Sequence, residues 1–183
     1  LFAKSIEGRN VVLGYVFEDG VQVNEISGHI EGYDSEFVNN FYFRERTGFI
    51  SNIDTLNEAN GRTGFFDNPS LDSDGVFRRV PSFQVYDGGI YPSLAVATTM
   101  ASLNTREVDF GIWIDEHGGI AVKDFAIAGY TIPTDIGGNI LVPYRGEKGS
   151  FPYVPIIDIL DKKIDKSLLE NKIILVGTSA AGL

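Results

Sequence analysis

Residues 10–17 (NVVLGYVF) form an unbroken run of β-branched and aromatic side chains, closed by Asp19-Gly20, the pattern of a strand buried on both faces. A second such run, residues 172–177 (KIILVG), lies near the other end and follows a helical segment. A strand hidden on both faces needs covering layers on each side, and the helix-then-strand order implies a parallel partner, so the chain is confined to the α/β class.

Between these runs the pattern changes repeatedly. Residues 28–61 mix aromatics with polar groups, and only residues 52–59 suggest a short helix there. Residues 62–66 read as a strand and 71–75 (LDSDG) as a turn. Residues 76–86 read as a bent or edge strand, because Pro81 interrupts it. Tyr91-Pro92-Ser93 before LAVATTMASL predicts a helix with Pro in its first turn and a small-residue face lying close to a sheet. Residues 108–114 and 120–125 flank Asp115-Glu116-His117-Gly118-Gly119, and residues 127–132 and 139–144 follow, which predicts antiparallel hairpins. Residues 155–163 suggest a short helix and 167–171 a turn. The expected architecture is a single α/β domain with a mixed sheet of buried parallel strands and antiparallel hairpins, helices packed on it.

Composition removes several functions. The 183 residues, 43% hydrophobic, supply enough apolar material for one core. Lys and Arg total 15 against 25 Asp and Glu, and the densest basic pairs are only Arg78-Arg79 and Lys162-Lys163, so no clustered positive surface awaits nucleic acid. Absence of cysteine excludes disulfides, thiolate metal sites and a thiol nucleophile. No apolar run approaches the roughly 20 residues of a membrane-spanning helix, and no signal-peptide pattern starts at Leu1. Asn68-Pro69-Ser70 carries Pro where a glycosylation acceptor forbids it.

Catalytic and metal motifs are near misses. Gly177-Thr178-Ser179-Ala180-Ala181-Gly182 resembles a nucleophile elbow, but Ala181 replaces the second Gly, and both histidines, His29 and His117, precede Ser179. As a phosphate loop it lacks the Lys, since Leu183 follows Gly182. Asp72-Ser73-Asp74-Gly75 copies the start of a calcium loop, yet Phe83 stands at its twelfth position. Asp115-Glu116-His117 offers two ligands at best, and a solvated hairpin tip explains it. His29 has no partner in the sequence and reads as structural. No metal and no cofactor is expected.

The most informative stretch is residues 132–146, which brings Asp135, Tyr144 and Arg145 around one strand and its exit loop. Two readings stand. Arg145 captures a ligand carboxylate or phosphate, or it pairs internally with Asp135 or Asp158 and fixes the following loop.

Taken together, residues 10–17, Gly64-Phe65-Phe66, 74–81 (DGVFRRVP) and 90–95 (IYPSLA) resemble successive signatures of the type-two CHASE domain, the cyclases/histidine kinases associated sensory extracellular family. Ile132-Pro133, Asp135, Gly138, Tyr144-Arg145-Gly146, Ser150-Phe151-Pro152 and 172–180 continue that resemblance in order. Pro143 departs from the family's usual Asn, and Lys148 lies near a usual Pro. The resemblance implies a non-catalytic periplasmic sensory domain of a bacterial inner-membrane receptor. Membrane helices would flank it, and its ligand state would set a cytoplasmic adenylate or diguanylate cyclase, histidine kinase or protein kinase. It further implies an opening strand and helix before Leu1 and more of the domain after Leu183. An unpaired sheet edge left that way favours association, including a homodimer. The ligand, a small molecule or a protein, would be bordered by Asp135, Tyr144, Arg145, Ser150 and Phe151. The competing functions are an α/β serine hydrolase using Ser179 and a non-signalling periplasmic binding or structural module.

Overall fold

Within residues 10–17 the regular strand covers only Leu13–Tyr15, with Gly14 packed close against the Phe66 ring, and beyond it the chain makes a single bridge from Val16 to Ile50. The described residues, 1–67, 71–147 and 149–178 of a computed structural model, fall into two compact units, Leu1–Val142 and Pro143–Leu183.

The first unit runs α1 (Phe2–Ile6), β1 (Leu13–Tyr15), β2 (Gln22–Val23), α2 (Ser35–Val38), β3 (Arg44–Glu45), β4 (Phe49–Ile50), α3 (Asp54–Asn60) and β5 (Thr63–Phe65). It continues with β6 (Arg79–Pro81), β7 (Phe83–Tyr86), β8 (Gly89–Pro92), α4 (Leu94–Ser102), β9 (Asp109–Ile114), β10 (Ile120–Ile127), β11 (Tyr130–Pro133) and β12 (Asn139–Leu141). Parallel pairs join β1 to β5, β2 to β4 and β3 to β7; antiparallel pairs join β7 to β8, β9 to β10, β10 to β11 and β6 to β12. The α/β class with parallel and antiparallel strands therefore holds. The expected mixed sheet is instead divided, among the described residues, into five small sheets. Strands this short cannot extend one continuous ladder, and the Ser82 break after Pro81 sends β6 and β7 to different partners.

Helix α4 begins where the sequence placed it, but Pro92 ends β8 rather than entering the helix, and Ser93 is the cap. Its Oγ accepts the Val96 N–H at 3.3 Å. The helix buries Val96, Ala97, Met100 and Ala101, and its first turn lies against β5. An added Cβ on Gly64 would stand 2.6 Å from the Leu94 Cα, so this strand and helix meet backbone to backbone.

The main core gathers Phe83 and Ile90 of the β3–β7–β8 sheet, Val122, Phe125 and Ile127 of β10, and Phe41 and Phe43 of the segment before β3, and a smaller one holds Tyr15, Phe17, Phe49, Phe65 and Tyr91. Beside the smaller core lies a buried charge cluster. The Arg46 guanidinium stands 3.7 Å from the Asp67 carboxylate and donates to Asp19 at 3.0 Å and to the Phe17 carbonyl at 2.7 Å. Asp67 also accepts the Phe17 N–H at 2.7 Å and the Gln84 amide at 3.2 Å.

The second unit contains α5 (Ile156–Leu160) and a 3-10 turn, Lys166–Leu168. Residues 172–178 form no strand, and Leu175 and Val176 are 81% and 82% exposed, which overturns the buried strand expected of KIILVG. A strand hidden on both faces requires a ladder partner and covering side chains, and among the described residues none pairs with this segment.

Candidate functional site

The five residues named from the sequence fall in both units. Asp135 sits in the first, at the turn from β11 to β12. Its Oδ1 accepts the N–H groups of Gly137 and Asn139 and the Asn139 amide, each at 3.0 Å, and its Oδ2 faces Arg79 Nε at 3.8 Å. This carboxylate is thus occupied in closing a turn. Tyr144, Arg145, Ser150 and Phe151 lie in the second unit and are exposed, Tyr144 at 68% and Phe151 at 72%. Ser150 Oγ donates to the Glu147 carbonyl at 2.7 Å. The carboxylates offered to Arg145 have other cations: Arg79 meets Asp135, and Lys163 stands 4.0 Å from Asp158. Arg79 was not foreseen because a sequence shows neighbours along the chain, whereas β6 meets β12 across the fold.

Asp135 also borders a broad groove of about 480 Å³ on the β9–β10–β11 sheet, with Trp113, Lys123, Thr134 and Ile136. Thr134 is fixed there, its N–H on the Lys123 carbonyl at 2.8 Å and its Oγ1 on the Val122 carbonyl at 3.0 Å.

The motifs judged to be turns are turns. Asp72 and Asp74 of the calcium-like loop bind arginine side chains, Arg78 at 3.3 and 2.7 Å and Arg79 at 3.0 Å. At the hairpin tip Asp115 accepts the N–H groups of His117 and Gly119 at 2.8 and 2.9 Å, as well as the Tyr42 hydroxyl, and these bonds, Tyr42's first, hold its carboxyl below the usual range.

A narrower cleft was not anticipated. Three separate stretches build it: the loop at Gly28–Glu31, which carries the Ile30–Ile90 bridge, the α3-to-β5 junction at Gly61–Thr63, and α4 with Thr105 and Arg106 beyond its end. Gly61, at φ 60°, caps α3 with its N–H on the Asn57 carbonyl at 2.8 Å and delivers Arg62 to the wall. Met100 and Ala97 form the apolar side. His29 lines the mouth, its ring 6.1 Å and edge-on to Tyr91, whose hydroxyl is pushed up to about 12 by burial. The cleft is open to solvent on one side, with about 40 Å³ of space for the centres of water-sized groups. Among the described residues neither Arg62 nor Arg106 forms an ion pair. The sequence offered the helix after Ser93, the strand from residue 62 and an unpartnered His29, with no signal that they meet.

The model of one family, the CHASE2 domain, matches residues 1–183, the whole chain. The chain belongs to the CHASE2 family. CHASE2 domains are extracellular, non-catalytic sensory modules of signalling receptors. No curated protein matches the chain, and no solved structure does. No helix among the described residues of this CHASE2 domain is long and apolar enough to cross a membrane. Ser179, on which a hydrolase would depend, lies outside the described residues, as do Lys148 and the Asn68-Pro69-Ser70 triplet.

The CHASE2 cleft depends on Gly28. Its φ of +84° disfavours any L side chain, and a Cβ there would stand 2.5 Å from Thr63 Oγ1 and 3.1 Å from the Thr63 backbone nitrogen and oxygen. Gly28→Ala is expected to cost about 1–3 kcal/mol, read from urea unfolding. A cost under a few tenths would show that the loop relaxes freely and that the wall is not rigid.

Proposed function

We propose that this CHASE2 domain is the ligand-sensing, extracytoplasmic part of a bacterial transmembrane receptor whose cytoplasmic output is a cyclase, a histidine kinase or a protein kinase. The reading is carried by the family match across residues 1–183, and the cleft with its two arginines supplies a place for a ligand to act. A ligand shifts a two-state receptor only by as much as its affinity differs between the states. A ligand joining Arg62 to Arg106 would tie the α3–β5 junction to the end of α4, and a receptor state that separates them would bind it less tightly.

Tyr144, Arg145, Ser150 and Phe151 of the second unit are the alternative contact residues, supported by the exposure of Tyr144 and Phe151. The test is a thermal-shift screen of metabolites, peptides and metals against the chain, followed by output assays of the membrane-anchored receptor carrying each hit. A ligand that binds only the folded state at one hundred times its Kd should stabilise it by about 2.7 kcal/mol. Hits that raise the melting temperature and change output support the sensor. A cooperative melt with no hit in any class would sink ligand sensing, and a hit whose effects survive Arg145→Ala unchanged would remove the alternative surface.

A further inference from the structure

We infer that the cleft between the α3–β5 junction and the end of α4 captures a small monocarboxylate, its carboxylate held by Arg62 and Arg106 and its short alkyl body lying against Ala97 and Met100. This deepens the sensor reading and rests on it only for the signalling consequence.

Charge argues first. The molecule carries a net charge of −10, and its other clustered arginines are engaged: Arg46 with Asp19 and Asp67, Arg78 and Arg79 with Asp72, Asp74 and Asp135. Arg62 and Arg106 line one cleft and, among the described residues, pair with no carboxylate, although Glu31 lines the same cleft. A guanidinium stays protonated at any physiological pH and matches a carboxylate with two parallel N–H donors. Two guanidiniums against one carboxylate leave a single positive charge, which a monoanion balances and a dianion overshoots.

Size argues second. The space open to the centres of water-sized groups in the cleft is about 40 Å³, enough for the head of a small anion. The apolar wall of Ala97 and Met100 then favours an aliphatic substituent over a polar one.

Isothermal titration of the 183-residue chain with acetate, propionate and butyrate at constant ionic strength tests this, with propionamide, chloride and inorganic phosphate as comparisons. The expected result is saturable binding of a monocarboxylate with a Kd on the order of 1 mM, as befits so few atoms, and none of propionamide. Arg62→Gln and Arg106→Gln should each weaken it about tenfold or more while leaving the unliganded melting temperature unchanged. The assignment is overturned if no acid binds, if the amide binds as well as the acid, if phosphate binds more tightly, or if both variants bind normally. A receptor that answers another ligand while the acids stay silent removes this assignment and leaves the sensor standing. Acids that bind without changing receptor output do the reverse.

Discussion

Phe83→Ala is expected to lower the unfolding free energy by about 3–5 kcal/mol, enough to remove a large part of the stability of an ordinary domain. Phe83 is 0% exposed on β7, which pairs with both β3 and β8. Its ring meets Phe110 and Phe125 edge-on at 4.9 Å each, and Phe43 at 5.6 Å. Truncation loses the transfer energy of the ring and leaves a cavity walled by Phe110 and Phe125 of the β9–β10–β11 sheet and by Phe43 of the loop before β3, which the paired strands keep from closing together. Phe83→Leu, which keeps most of the volume, should cost under about 1.5 kcal/mol. Urea unfolding followed by fluorescence measures both. Equal and small losses for the two would mean that this cluster is not the centre of the core.

Arg46→Ala should be of similar size, about 3–5 kcal/mol at neutral pH, for an electrostatic reason. The Arg46 and Asp67 side chains are 7% and 10% exposed, so removing the cation strands a carboxylate among Phe17, Gln84 and the smaller core. Burial already pushes the Asp67 carboxyl up, against the lowering effects of the Phe17 N–H and of Arg46. A carboxyl raised in the folded state binds its proton more tightly there than in the unfolded chain. Its contribution is therefore fully favourable below the unfolded value of about 3.9 and is lost as pH rises through the folded one. Removing Arg46 raises that folded value further, so the cost of Arg46→Ala should grow between pH 4 and pH 7. Asp67→Asn introduced beside Arg46→Ala removes the buried charge and should recover much of the loss at pH 7 and little at pH 4. Unfolding free energies across that range decide it, and a pH-independent cost with no recovery would show that Arg46 acts by packing against the Phe17 ring, 5.6 Å from its guanidinium carbon.

Much of the local structure was legible because local rules produce it. The helix expected over residues 52–59 is α3, Ser93 precedes α4, and the turns at Asp74 and Asp115 are held by side chains that accept from the backbone N–H two residues on. The long hairpin of β9 and β10 was legible for the same reason, although β10 runs on to Ile127 and includes a register shift near Lys123. The buried character of residues 172–177 was a different kind of inference. Their apolar content measures what the segment would gain under cover, and it says nothing of whether a partner strand is there; in the structure Ile173 and Ile174 are 60% and 51% exposed.

The sequence by itself determined the α/β class, the main turns and caps, and membership of the CHASE2 family, since each depends on short-range pattern or on the ordered set of motifs. Only the tertiary structure decided which charges meet. It placed Leu13 opposite Thr63 in the parallel β1–β5 pair, set Arg79 rather than Arg145 on Asp135, and brought Arg62 and Arg106 to one cleft beside His29. Those partners lie 44 to 56 residues apart along the chain, and a guanidinium written in a sequence carries no record of which strand will lie next to it.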